Sequence, residues 1–417
     1  IFKVNLRIIF IIKNKYFYRP KKFLMGLLII LIITEILTAI VWRQHLYSKS
    51  KIEYTIAIII HYILSLWLWF LFLETTVNKG FYDTPRNIWM LMSLRGTICA
   101  IVVPRIILIV FHFSGKLKKN KTRCSPGQIT NTGIIIMALI FTTITLSTLH
   151  GRFNFKTENV TIKIKGLNKD LDGLKIVQLS DLHLAGFYHH SRLLEKVMKE
   201  VNADRPDLIL NTGDFVNYGW REFGKNDTIL SKAVSRYGNF AVMGNHDFGT
   251  YHPDFTEADR ANNELIMHNL IRSSGYKVLN DEHSVINIGR SKVALIGITT
   301  KGRHPDIIHG DLKKALSGLD SVDLKILLSH DPNFWENEVT GKTDIDITLS
   351  GHTHGMQMGI CTKKFKWSPS KFFYPNWGGL YTKGNQYLYV NRGLGVLAIP
   401  FRIWMPPEIT IITLKSE

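Results

Sequence analysis

LKIVQLSDLHL, residues 174–184, reads as a short apolar strand that stops at a polar turn carrying Asp181 and His183. The run up to Leu179 is brief and continuous, which suits a buried strand better than an amphipathic helix. Working outward, the same event recurs along the chain. DLILN (207–211) is followed by Gly213 and Asp214, and NFAVMG (239–244) by Asn245 and His246. LKILLSH (324–330) ends in His330, and DITLSG (346–351) runs into His352 and His354. KVALIGI (292–298) adds a further strand, and strand-rich stretches are expected around 284–298 and 387–414. Between these lie helical patterns at roughly 190–203, 227–237, 256–274 and 308–317, with LLEKVMKEV placing its apolar residues on one helical face. Alternating strand and helix predicts an α/β layered domain with a central sheet.

Five separate strands thus end in Asp, Asn or His beside small, turn-forming residues. In open α/β sheets ligands bind beyond the carboxyl ends of the strands, so these residues are expected to meet in one cleft. Carboxylate and imidazole suit divalent first-row metals, and the absence of thiolates among them argues against a structural zinc. In D-L-H and H-T-H the two donors are two positions apart, which on an extended segment turns them the same way. Asp214 has two oxygens and is the natural bridge between two ions about 3.5–4 Å apart. Glycines at 213, 244, 351 and 355 allow the backbone to turn sharply beside the ions. A lone D-x-H or G-N-H is an ordinary turn; the full ordered set, each member after a strand, is not.

The first third of the chain is different in kind. Four apolar stretches, roughly 23–41, 54–73, 88–113 and 134–149, are edged by Lys/Arg and by Trp42, Tyr47, Tyr54 and Trp89. Crossing a bilayer takes about 20 predominantly apolar residues, and four such runs in succession predict an all-α transmembrane bundle. Residues 1–155 hold 20 Lys+Arg against 4 Asp+Glu, so this segment carries +16 of the formal net charge of +19. The bases flank hydrophobic runs, which points to a lipid bilayer as partner and away from nucleic acid. Glu35 and Arg105 fall inside apolar runs, and charges at membrane depth are usually paired, so a Glu35–Arg105 pair is expected. The three cysteines show neither a disulfide framework nor a CxxC metal site.

The segment before residue 23 carries seven Lys/Arg and the 114–133 loop five, on opposite sides of a four-crossing bundle. The positive-inside rule cannot satisfy both. If translation starts at Met25 the conflict disappears, and the domain beyond the helices is expected on the outer face of the membrane. The expected organisation is a basic N-terminal segment over 1–22, a four-helix transmembrane region over 23–150 and a catalytic domain over 151–417.

DLH (181–183), GD (213–214), GNHD (244–247), SH (329–330) and GHTH (351–354) together resemble the signature of the calcineurin-like metallophosphoesterases, over about residues 170–415. DGLKIVQLSDLHL, DITLSGHTHGMQMG, SPSKFFYPNWGGLY and the ending QYLYVNRGLG…PPEITIITL are similar to the membrane-anchored bacterial branch of that family. The resemblance implies a four-layer α/β–β/α sandwich with a dinuclear site on its rim. It implies one metal on Asp181, His183, Asp214 and His354, and the other on Asp214, Asn245, His330 and His352. It further implies a metal-bridging hydroxide attacking phosphorus and His246 protonating the leaving oxygen, with Asp247 as the partner of His246. Manganese, iron and zinc all suit such ligands.

Arg392, Arg402 and His252 are candidate substrate contacts, since Arg binds phosphate bidentately and His252 closely follows GNHD. For Arg392 and Arg402 a structural ion pair is the competing reading. The aromatic group Phe365, Trp367, Phe372, Phe373, Tyr374 and Trp377 suits a core, a membrane interface or a lipid-binding rim. The expected activity is a metal-dependent phosphodiesterase or pyrophosphatase in a bacterial cell membrane; membrane attachment favours a lipid-linked phosphate or pyrophosphate as substrate, with soluble nucleotides as the alternative. The alternative is a transporter or sensor whose helices do the work and whose metal-binding domain regulates. The sequence leaves oligomeric state open.

Overall fold

A computed structural model of the chain describes residues 20–77, 82–117, 124–303, 306–362 and 365–417. The expected basic segment 1–22 lies almost wholly outside these residues, as do Lys118, Lys119, Lys121 and Arg123 of the basic loop. By its internal contacts the chain forms two units. One holds the described residues up to Glu74 together with Thr97–Ile144; the other holds Thr75–Gly96 and Thr145–Glu417.

The apolar runs are helical: α1 (Pro20–Leu46), α2 (Lys51–Val77), α3 (Pro85–Thr97), α4 (Val103–Leu117) and α5 (Pro126–Leu149). A π turn over Ile98–Val102 joins α3 to α4. Its position has a local cause: Pro104 follows at once and cannot donate the helical N–H bond. Counting α3 and α4 as one, four helices among the described residues are long and apolar enough to cross a membrane, with mean hydropathies of 2.0 to 2.7. Their apolar side chains are widely exposed, Ile52 at 74% and Leu66 at 70%, a distribution that suits lipid and not water.

The expected Glu35–Arg105 pair is not what the bundle contains. Arg105 donates to Ser65 Oγ at 2.8 Å and to the His61 carbonyl at 3.1 Å, while Glu35 accepts from Trp69 Nε1 at 2.8 Å. No ion pair joins the two among the described residues. Neighbouring polar groups satisfy each charge separately.

The second unit is an α/β domain built on two six-stranded sheets. Its strands are β1 (Lys156–Ile164), β2 (Lys175–Leu179), β3 (Leu208–Asn211), β4 (Asn239–Ala241), β5 (Tyr276–Val278), β6 (Glu282–Ile288) and β7 (Ser291–Ile298). A hairpin of β8 (Thr300–Arg303) and β9 (Asp306–His309) precedes β10 (Leu324–Ser329) and β11 (Ile347–Ser350). The short pair β12 (Ile360–Cys361) and β13 (Lys366–Trp367) is followed by β14 (Gly379–Lys383), β15 (Gln386–Val390) and β16 (Glu408–Ser416). The first sheet runs β1-β16-β2-β3-β4-β5, with β2 to β5 parallel; the second runs β14-β15-β11-β10-β7-β6, with β15, β11, β10 and β7 parallel.

Strand alternation makes the layers. Ile176, Leu208 and Leu210 of the first sheet share one buried core with Val293, Leu295, Ile326 and Leu349 of the second. The neighbouring positions Val177 and Ile209 point the other way, onto Leu194, Val197, Met198 and Val201 of helix α6 (Ser191–Ala203) and onto Met267 and Ile271 of α7 (Glu257–Ser273). Ala294, Ile296 and Leu327 likewise face Phe334, Trp335 and Ala315, the last in α8 (Leu312–Leu316). The order is therefore helix, sheet, sheet, helix, the four-layer sandwich that the resemblance implies, with two sheets in place of a single central one.

Two expected helices are cut short. Of 227–237 only Asp227–Leu230 is helical, because Asn202 Nδ2 and Asn239 Nδ2 take the carbonyls of Lys232 and Ala233 from outside the segment. The first two residues of 308–317 belong to β9, and a side-chain cap from Asp311 starts the short helix that follows.

Candidate metal centre

Each strand that ends in a candidate ligand delivers it to one place. Asp181 and His183 follow β2, Asp214 follows β3, Asn245 follows β4, His330 follows β10, and His352 and His354 follow β11. Gln178 Nε2 donates to the Ser350 carbonyl at 2.9 Å, tying the ends of the two sheets together. Two groups result, Asp181 with His183 and His354, and Asp214 with His330 and His352. The groups adjoin: His330 Nε2 stands 3.0 Å from Asp214 Oδ2 and 4.0 Å from Asp181 Oδ1, and His183 Nε2 stands 3.9 Å from Asp214 Oδ2.

Reaching this arrangement strains the backbone. Asp181, His183, Asp214, His352 and His354 all have positive φ, between 42° and 70°. Non-glycine residues adopt that region at a cost of about 1–3 kcal/mol each, and such strain gathers at functional sites. Gly213 and Gly244 make the closest approach possible: Gly213 has a φ of 99°, and a Cβ on Gly244 would run into the Asp214 carboxylate.

The rings are oriented from behind. His183 Nδ1 donates to the Val216 carbonyl at 3.1 Å and His330 Nδ1 to that of Thr212 at 2.7 Å. A carbonyl accepts only, so each ring keeps a proton on Nδ1 and turns Nε2 toward the centre, the atom a metal would take. His354 also presents Nε2, 3.1 Å from Asp181 Oδ1. His352 is the other way round: Tyr374 Oη lies 2.8 Å from its Nε2, leaving Nδ1 for a ligand. Asp181 is held by Ser180 Oγ at 2.5 Å and by the His352 N–H.

The electrostatics fit a cation. Burial works against ionisation of Asp181, yet His354 and His330 hold its carboxyl well below the usual range. Asp214 is likewise held low against burial, by His330 first. Burial also opposes protonation of His330, but Asp214 and Asp181 carry it up to about 10. Burial pulls His352 down to about 4 and, with His354, drives His183 well below its ordinary value. The Nε2 atoms of His183 and His354 face each other at 3.0 Å, and Asn245 Oδ1 is buried with no hydrogen-bond partner among the described residues. Converging lone pairs, two fixed carboxylates and one orphaned amide oxygen form a donor set that suits divalent cations.

His246 sits at the edge of this set. Its Nδ1 donates to the Asn217 carbonyl at 2.6 Å, its backbone N–H to Asp214 Oδ1 at 2.9 Å, and its ring stacks on Tyr251 at 4.0 Å between centroids. Burial lowers its pKa, with Asp214 and the Asn217 carbonyl pulling upward. Asp247 is not its ring partner. The Asp247 carboxylate accepts the backbone N–H groups of Asp214, Phe215, Val216 and Gly244, clamping the loop after β3 to the loop after β4.

The three candidate substrate contacts are committed elsewhere. Arg392 is buried and ion-paired with Glu408 and, at 2.7 Å, with Glu158. Buried Arg402 donates to the carbonyls of Arg392, Gly393, Gly395 and Met405, and its Nη2 stands 3.3 Å from His354 Nδ1. His252 is buried, stacks on Phe255 and lies 3.4 Å from Asp83. Of the aromatic group, Trp377 is core and Tyr374 touches a candidate ligand, while Phe365, Trp367 and Phe372 are exposed. The positioning roles of Asn217 and Tyr374 carry no sequence signal of their own, since each acts across more than 20 positions, whereas Ser180 adjoins the Asp181 it holds.

Residues 174–356 match the calcineurin-like phosphoesterase family model. An uncharacterized metallophosphoesterase of Bacillus subtilis (strain 168), YkuE, is 30% identical over 273 residues, covering 63% of this chain and 86% of the relative. A Danio rerio transmembrane protein with metallophosphoesterase domain is 29% identical over 346 residues, 79% of this chain and 74% of the relative. That is more than residues 151–417 supply, so the likeness reaches into the helical region. Phosphodiesterase YaeI of Escherichia coli (strain K12) is 29% identical over 243 residues, 58% of this chain and 82% of its own length. With its two-sheet sandwich and paired His/Asp groups, this chain belongs to the calcineurin-like metallophosphoesterase family.

Proposed function

We propose that this metallophosphoesterase is a two-metal hydrolase that cleaves a lipid-linked phosphoester or pyrophosphate at a membrane surface. Asp181, His183, Asp214 and His354 hold one divalent ion; Asp214, Asn245, His330 and His352 hold the other. The observation that carries the reading is the convergence of six His and Asp donors in two adjoining groups, with His183 and His330 already turned to offer Nε2. When bound, the two ions supply an acidified water as nucleophile and neutralise charge on the phosphoryl group.

The chain's own groups do the rest. The Asn217 carbonyl fixes a proton on His246 Nδ1, so Nε2 is the atom that gives a proton to the leaving oxygen. Burial alone disfavours the charged ring; an anionic phosphoester beside it favours that form, so the acid is armed as substrate arrives. Tyr251, stacked on the ring, limits its rotation. The four candidate spans among the described residues support a reading in which the enzyme works at a bilayer on an amphiphilic phosphoester. Manganese, iron and zinc all remain compatible with oxygen and nitrogen donors.

The test is hydrolysis by the full chain in detergent, with manganese, iron or zinc supplied in turn. Bis-p-nitrophenyl phosphate, nucleotide diesters and phospholipid or lipid pyrophosphate esters are the substrates. Metal-dependent cleavage that favours the lipid esters is expected. Metal-loaded protein that cleaves none of them would refute the assignment.

A further inference from the structure

From residue 156 onward, ten large apolar side chains are exposed among the described residues, and six of them belong to one region. Met356, Ile360, Phe365, Trp367, Phe372 and Trp404 lie on loops that the backbone ties together. Met358 bridges Ile403, β12 pairs with β13, and Ser368 Oγ donates to the Gly355 carbonyl at 2.7 Å. Trp404 is 73% exposed and Phe372 72%, far beyond what a soluble surface tolerates in neighbouring aromatic residues. Trp404 and Met356 are also held at φ of 53° and 48°, a conformation costly for bulky side chains. Lys366 and Lys371 are exposed between them.

Within the second unit, the same loops touch the stretches that are continuous in sequence with the apolar helices. Arg95 donates to the Ala398 carbonyl, Gly96 lies against Pro400, and Gly151 lies against the Arg402 carbonyl. Ile88 and Met92 of α3 share a buried cluster with Ala185 and Val396. The stretches 85–96 and 145–153, each continuous with a candidate span, are thus anchored beside the loop that ends in Trp404.

We infer that these loops form a membrane-seating face, in which the six apolar side chains enter the headgroup region of an anionic bilayer and Lys366 and Lys371 meet its phosphates. Tryptophan with lysine is the composition that settles at a lipid–water boundary. The loops also carry His354 and the Tyr374 that holds His352, so the face borders the metal centre. The inference rests on reading the four helices as membrane spans, as the proposed function does, and on no ligand assignment.

The experiment uses the full chain with Cys99, Cys124 and Cys361 replaced by serine. It is reconstituted in nanodiscs of phosphatidylcholine and phosphatidylglycerol. A nitroxide is attached after Phe372→Cys, Trp404→Cys or, as a control on another exposed surface, Leu265→Cys. Collision with oxygen, which concentrates in lipid, is compared with collision with a water-soluble nickel chelate. Labels at 372 and 404 should show a higher oxygen-to-nickel ratio than the label at 265. Ratios at both sites equal to that at 265 would overturn the proposal. The readout needs no turnover, so its failure leaves the metal chemistry standing, and an inactive protein can still pass it.

Discussion

Replacing Asp247 by asparagine keeps its shape and removes one of two acceptor oxygens. Oδ2 accepts the N–H of Asp214 at 2.9 Å and of Gly244 at 3.0 Å; Oδ1 accepts those of Phe215 at 2.8 Å and Val216 at 3.2 Å. Whichever way the amide turns, its NH₂ faces two buried backbone donors with no other acceptor at hand. A buried donor left without an acceptor costs about 1–3 kcal/mol, so stranding two costs about 2–6 kcal/mol before the loops relax. The same four N–H groups set where the Asp214 carboxylate stands, and disturbing such support lowers metal affinity by about 10–100-fold. Manganese titration and thermal unfolding of the full chain in detergent should show weaker binding and lower stability, with turnover recovering at excess metal. Unchanged affinity with turnover lost at every manganese concentration would refute this reasoning. It would restore Asp247 as the partner of His246.

His246→Ala should cut turnover by about 10²–10⁴-fold with metal content per chain unchanged; a parallel loss of metal would make the ring a ligand. Arg392→Met should destabilise the fold by about 3–5 kcal/mol by stranding the buried Glu408, and leave KM for bis-p-nitrophenyl phosphate as it was. A raised KM in a stable protein would reinstate Arg392 as a phosphate contact. Glu222 is fully buried, and burial pushes its carboxyl up to about 7 against the N–H groups of Asn217, Tyr218 and Gly219. The folded state therefore holds this proton more tightly than the unfolded one. Stability is fully present below pH 4.5 and declines as pH rises toward 7, by about 3 kcal/mol in all. Melting temperatures across that range should fall in the wild type and less steeply in Glu222→Gln; parallel slopes would count against it.

The sequence was most informative where local pattern and long-range purpose agree. LKIVQLS, LKILLSH and DITLSG are strands because each is a short, mostly apolar run, and their ends carry candidate ligands because turns there admit Asp and His. The seven candidate ligands could be read for that reason. What stayed hidden depends on partners far along the chain. Nothing near Asp247 announces that its carboxylate will gather N–H groups from 214–216, some 30 residues earlier. Arg402 looks like a phosphate contact until its donors are seen turned onto four carbonyls. Residues 231–237 follow a helical pattern, yet asparagines from α6 and β4 claim their carbonyls. Glu35 and Arg105 looked like a pair because composition cannot reveal that Trp69 and Ser65 stand closer to hand.

The central claim is that Asp214 lies between two metal ions held by one chain. Metal analysis of the purified, active full-length protein tests it most directly. The account predicts two divalent ions per chain, with activity rising as the second is loaded. Full activity with a single ion per chain, or with none, would contradict it.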